Sequence, residues 1–251
     1  LVCSRHSFMV SQALDRLKEK GDPAILLENL PKVSDNHVNS VVEVLLSRTP
    51  LPLAAAARSL ETSSQERTLR ISSKILGRGG EESKQYASSL VNACSRWQLR
   101  WIEERSTIAD GDRNLYSKMK VLTETYRLML WSCGRLQTGG EALIAASDPK
   151  YFAEIRKAAL TGLSMGLGGP EGIEALARSV TDADASIRSL ASSGLTKLGP
   201  ERAASLVTQV LDDRTSLNRL LSGVDNEESR RALRSAASTV HHQGVALPHL
   251  V

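Results

Sequence analysis

The stretch that decides the fold runs from Asp182 to Asp212 and reads DADASIRSLASSGLTKLGPERAASLVTQVLD. An Asp at its start can cap a helix by accepting from the first free backbone N–H groups. Ile187, Leu190, Ala191 and Gly194 follow at helical spacing and make one apolar stripe, in which the small residues let a second helix approach. Gly199 ends that helix. Pro200 opens the next one at a first-turn position, where its missing N–H costs nothing. Ala203, Leu206, Val207 and Val210 form a second stripe, and Asp212 and Asp213 begin another unit. The stretch is a two-helix unit too short to bury its own stripes, so it must stack on neighbours.

The unit recurs. Gly169-Pro170-Glu171 returns as Gly199-Pro200-Glu201, and at the same offset Leu176, Val180 and Asp182 fall on Leu206, Val210 and Asp212. Ile155–Leu163 (IRKAALTGL) likewise matches Ile187–Leu195 (IRSLASSGL). The pattern is good over 148–182 and 182–212 and degrades over 212–240, where Asn218 stands in place of the repeated Arg. The run Asp182, Asp184, Ile187, Arg188, Ala191, Leu195, Leu198, Gly199, Pro200, Glu201, Leu206, Val210, Asp212 resembles the short HEAT repeat of phycobilisome-lyase-like proteins, within the HEAT/armadillo-like families. The resemblance implies an all-α fold, a right-handed α-solenoid of about five to seven helix pairs. It also implies that Arg156 and Arg188 occupy the family's repeated Arg position and belong with Asp182 and Asp212 to a structural ladder. Arg188 is expected to pair with Asp182 or Asp184.

Composition agrees with helices. Hydrophobic residues make up 41% of the chain and only 4% are aromatic, a mixture of Leu, Ala, Val and Ile that suits stacked helices better than a β-sandwich. No run approaches 18 apolar residues, so no membrane span is expected. The first residues lack the basic-then-apolar order of a signal peptide and an initiating Met, which reads as a processed chain or a piece of a longer one. Cys3, Cys94 and Cys133 are too few and too scattered for a disulfide framework or a zinc site. They read as reduced thiols in an intracellular protein, cytoplasmic or nuclear.

The chain divides by pattern into irregular helical repeats with two long helices (1–147), short HEAT repeats (148–240) and a loosely attached tail (241–251). In the first part, Gly21-Asp22-Pro23 precedes an apolar helix. The segment Thr49–Pro52 must be a break, because two prolines this close cannot sit inside a helix. Glu82–Ile108 and Leu115–Leu136 read as the two long helices, separated by a turn at 109–114.

The chain carries no phosphate loop, no nucleophile elbow and no zinc-protease helix motif. The His-Glu pairs of HEAT-like hydroxylases and the Trp-Asp signature of HEAT-like DNA glycosylases are both missing from it. Gly166–Gly169 reads as an inter-helix turn. His241, His242 and His249 have no Cys nearby, and Asp110, Asp112, Glu103 and Glu104 read as a solvated helix end. No catalytic residue, metal or cofactor is therefore expected, and a small-molecule ligand is not.

The expected function is that of a non-catalytic scaffold or adaptor, as part of a larger chain or complex or as a chaperone-type cofactor. It would bind a protein partner through the concave face, with Glu174, Arg178 and Gln209 as groove residues. A second reading is nucleic-acid binding by residues 58–135, where 14 Lys and Arg face 9 Asp and Glu, an excess that could hold phosphates. There Arg96, Trp97, Arg100, Trp101 and Arg105 interleave on neighbouring helix faces, and stand either as a binding surface or as two core anchors flanked by solvated arginines. A third, an enzyme subunit resembling the lyases, would need a tetrapyrrole that nothing in the residues selects.

Overall fold

The computed structural model describes residue 16 and residues 21–180 and 182–198. Those residues form ten α-helices joined by turns and two short 3-10 segments, with no strand among the described residues. The chain divides into two units, with the break after Leu136.

In the first unit the helices are α1 (Pro23–Asn29), α2 (Asp35–Leu46), α3 (Leu53–Thr62), α4 (Glu66–Arg78), α5 (Ala87–Ser106) and α6 (Leu115–Leu136). Asp22 caps α1 by accepting from the Ala24 N–H at 2.8 Å, and Pro23 fills its first turn. The Pro50–Pro52 break separates α2 from α3, as the two prolines require. Helix α3 packs on α4 and α5 on α6. Across the pairs α3 lies on α5 and α4 on α6, while α1 touches α3 and α2 touches α4. Leu27, Leu45, Leu60, Ile75, Leu90, Met119 and Met129 are fully enclosed between these layers. Each such side chain contributes about 1.5–3 kcal/mol by leaving water.

Helices α4 and α6 run in the same direction. Arg70 meets Glu124, and a Cβ at Gly77 would touch Trp131, so both contacts keep an offset of 54 residues. The approach is close because Gly77 has no side chain: its Cβ would lie 2.8 Å from the Trp131 ring. The long helix expected at Glu82–Ile108 is shorter than its pattern. A 3-10 segment, Gly80–Tyr86, precedes α5. It winds tightly against Gly79, where a side chain would collide with Ser83 and Leu53.

The second unit contains α7 (Gly140–Ala146), α8 (Ala153–Leu163), α9 (Gly169–Ser179) and α10 (Ala185–Leu198). Helix α7 packs on α8 and α9 on α10, with α7 against α9 and α8 against α10 across the pairs. Leu143, Ile155, Leu160, Leu163, Leu176 and Ile187 fill the interior. The break falls at 136 rather than at 147 because α7 buries Ala142, Leu143 and Ala146 within this second set of helices. The Gly166–Gly169 turn is the inter-helix connection its glycines suggest: Gly166, Gly168 and Gly169 all take left-handed backbone.

Candidate functional site

The site is built where two turns of the second unit meet. Helix α7 ends at Ala146. Asp148 then accepts from the Lys150 N–H at 2.9 Å, a tight turn that sinks Tyr151 into the core and lays the Lys150 ammonium 5.3 Å from the Tyr151 ring. Helix α8 follows, with Arg156 in its first turn. At the other wall α9 ends at Ser179, and Asp182 and Asp184 lead into α10.

Arg156 and Asp182 form a mostly buried ion pair, their side chains 12% and 7% exposed. The other Asp182 oxygen accepts from the Asp184 N–H at 2.8 Å. Asp184 in turn caps α10, accepting from the Ser186 N–H at 2.8 Å and from its hydroxyl. The Ser186 hydroxyl bond, ahead of the cap N–H groups and the Lys157 ammonium, holds the Asp184 carboxyl below the usual Asp range. Arg188 does not take a carboxylate from Asp182 or Asp184. It donates to the backbone carbonyls of Asp182 at 2.8 Å and Ala183 at 2.9 Å. Within the second unit, Arg156 therefore meets the Asp182 side chain and Arg188 the Asp182 main chain.

Around this pair opens a cleft of about 660 Å³. Ile144, Ala145 and Ala175 give it apolar walls; Ser147, Asp148, Lys150, Arg178 and Ser179 give it polar ones. Arg178 and Glu174 face each other at 2.7 Å on the exposed side of α9, with Arg178 lining the cleft. Of the groove residues expected from sequence, Glu174 and Arg178 are thus side by side. Gln209 and Asp212 lie outside the described residues, as do His241, His242 and His249. Lys150 and Ser147 are cleft residues that the repeat pattern does not single out. The turn sequence Ser147-Asp148-Pro149-Lys150 is their only signal.

In the arginine–tryptophan set of α5 the two rings are core residues, while Arg96 and Arg100 are exposed. Trp97 and Trp101 are 4% and 1% exposed, and their indole N–H groups donate to the Leu122 carbonyl at 3.0 Å and the Thr123 hydroxyl at 3.1 Å. Both rings anchor α5 on α6. The arginines beside them are engaged locally. Arg96 donates to the Leu60 carbonyl at 2.5 Å. Arg100 reaches Ser64 and Glu66 and lies 4.6 Å over the Trp97 ring, and Arg105 holds Ile108 and Asp110. They fasten the α3–α4 turn and the end of α5.

Cys94 and Cys133 are fully buried next to each other; their hydrogen bond, then burial, pushes the Cys94 thiol well above its ordinary value. Asp112 is held below the usual range by Lys118 and by the Asn114 N–H. No group of three or more metal-ligating side chains occurs among the described residues, and no described helix is long and apolar enough to cross a membrane. Compared with known proteins, the chain matches no family model, and no curated protein matches it.

Proposed function

We propose that the chain is a non-catalytic scaffold or adaptor, a right-handed HEAT/armadillo-type α-solenoid, and that it holds a protein partner on the exposed side of α9 and in the adjoining cleft. The paired and cross-stacked helices of each unit support the solenoid reading. The observation that carries the binding reading is the 660 Å³ cleft itself, an opening with apolar walls and a few fixed polar groups at its mouth. It is large enough for an extended segment of several residues, and its buried Arg156–Asp182 pair gives it a rigid wall.

Selection from a displayed peptide library, followed by fluorescence anisotropy on the selected peptides, tests this. Arg178→Glu and Lys150→Glu are expected to weaken the selected peptides by about tenfold or more, with the circular dichroism unchanged. Peptides that bind both variants as they bind the parent would place the site elsewhere. Failure to select any would remove the scaffold reading of this cleft.

A further inference from the structure

The positive excess of the first unit is not on α5, where the sequence draws the eye, but on the parallel helices α4 and α6. Helix α4 carries Arg67, Arg70, Lys74 and Arg78 against Glu66, and α6 carries Lys118, Lys120, Arg127 and Arg135 against Glu124. The two acids are both occupied: Glu66 by Arg100 at 2.9 Å and Glu124 by Arg70 at 3.1 Å. The Arg70–Glu124 pair bridges the two helices and fixes which faces meet. Lys74 stands one turn beyond Arg70. Lys120 and Arg127 stand one turn to either side of Glu124, so all three share the face that carries the bridge. Arg78 extends that row on α4, and Arg135, two turns past Arg127, extends it on α6. Lys120, Arg127, Arg78 and Arg135 are exposed and Lys74 is half-buried. Among the described residues none of the five makes an ion pair or a side-chain hydrogen bond.

We infer that this α4–α6 face is a docking surface for the phosphate backbone of a nucleic-acid duplex, read without regard to sequence. Charge complementarity is the first argument: five uncommitted cations on two neighbouring parallel helices have no free carboxylate among them. Spacing is the second. Lys120, Arg127 and Arg135 follow each other at about 10 and 12 Å along α6, and Lys74 and Arg78 at about 6 Å along α4, a spread that suits a row of phosphates rather than one anion. The lack of an apolar centre is the third. The large exposed apolar residues of α6 are Tyr116 and Val121, both in its first two turns, and beyond them the face offers no such anchor as the middle of a protein interface needs. A single strand would want open aromatic platforms for its bases. This row offers one open ring, Tyr116, a turn before Lys120, because Trp131 is half-buried against Gly77.

The test is anisotropy of the full chain with a fluorescent duplex of about 20 base pairs at roughly 50 and 200 mM salt. A single strand and poly-glutamate serve as competitors. Binding is expected to fall on the order of 500-fold across that salt range. Lys74→Ala/Arg127→Ala should reduce the slope of log K against log salt by about two. Lys157→Ala/Lys197→Ala, the same charge change in the second unit, should leave it unaltered. Absence of binding at low salt overturns the proposal, as does a slope unmoved by Lys74→Ala/Arg127→Ala in a protein with unchanged circular dichroism. Stronger displacement by poly-glutamate or by the single strand than by unlabelled duplex also overturns it and assigns the face to that occupant.

Discussion

Replacing Asp182 by Ala strips the Arg156 guanidinium of its carboxylate while leaving it mostly enclosed. The expected loss is about 3 kcal/mol, because an uncompensated buried charge costs more than the pair contributes. Urea unfolding followed by circular dichroism measures it. The double variant Arg156→Met/Asp182→Leu should recover most of the loss, and a single-variant loss under about 1 kcal/mol would show the pair to be solvated. Asp184 makes a pH prediction. Its carboxyl is depressed in the folded state, so the stabilisation it gives is present above the unfolded Asp value of about 3.9 and is lost as pH falls below it. Asn caps helices about as well but does not titrate. The thermal midpoint of the parent minus that of Asp184→Asn should therefore shrink between pH 6 and pH 3, and a constant difference would contradict the assignment. At this scale the sequence reveals the repeated Asp and Arg but not their partners. The turn at 182–184 aims two carbonyls at Arg188 and turns the Asp182 carboxylate towards Arg156, 26 residues back. Trp97 and Arg96 are illegible for the same reason: their acceptors, Leu122 and Leu60, are far away in the chain.

Helices are better recorded than contacts. Leu115–Leu136 is written in its own periodicity, and the two prolines at 50 and 52 separate α2 from α3 without help from the rest of the fold. The start of α5 is not so written, because the 3-10 segment before it depends on Gly79 meeting Leu53 and Ser83. Small residues within helices give a prediction of their own. In an open helix Gly→Ala is favourable by about 1 kcal/mol. At Gly194 the new methyl would stand 2.9 Å from the Ser164 Cβ and 3.1 Å from a Leu176 methyl. Gly194→Ala should instead destabilise by about 1–2 kcal/mol through overpacking. Ser193→Ala, on the half-buried neighbouring position, should leave the unfolding free energy from urea titration within about 0.5 kcal/mol of the parent's.

On the scale of the molecule, the probes are unequally shared. All three tryptophans, Trp97, Trp101 and Trp131, and the buried thiols Cys94 and Cys133 belong to the first unit. Their fluorescence and alkylation report that unit, whereas far-ultraviolet circular dichroism reports both. Asp182→Ala should therefore move the dichroism transition to lower urea and leave the tryptophan transition in place. Cys94 and Cys133 should stay unlabelled by a maleimide at neutral pH until the tryptophan signal is lost. Coincident shifts of both signals in Asp182→Ala would mean that the two units unfold as one.

The junction of α7 with α9 has a consequence for how this chain can drift. A Cβ on Gly140 would stand 2.8 Å from the main chain of Gly168, one on Gly168 would press on Gly172, and one on Gly172 would run into the Leu167 carbonyl. Three positions are thus locked by what they lack, and backbone cannot step aside as a side chain can. Neighbouring surface positions such as Glu141 and Glu171 are free to change, so a lineage of this protein would carry a triad of invariant glycines in the midst of variable residues. The spacing between Gly140 and Gly168 would be fixed with them, since an added residue would part the two backbones as surely as a side chain.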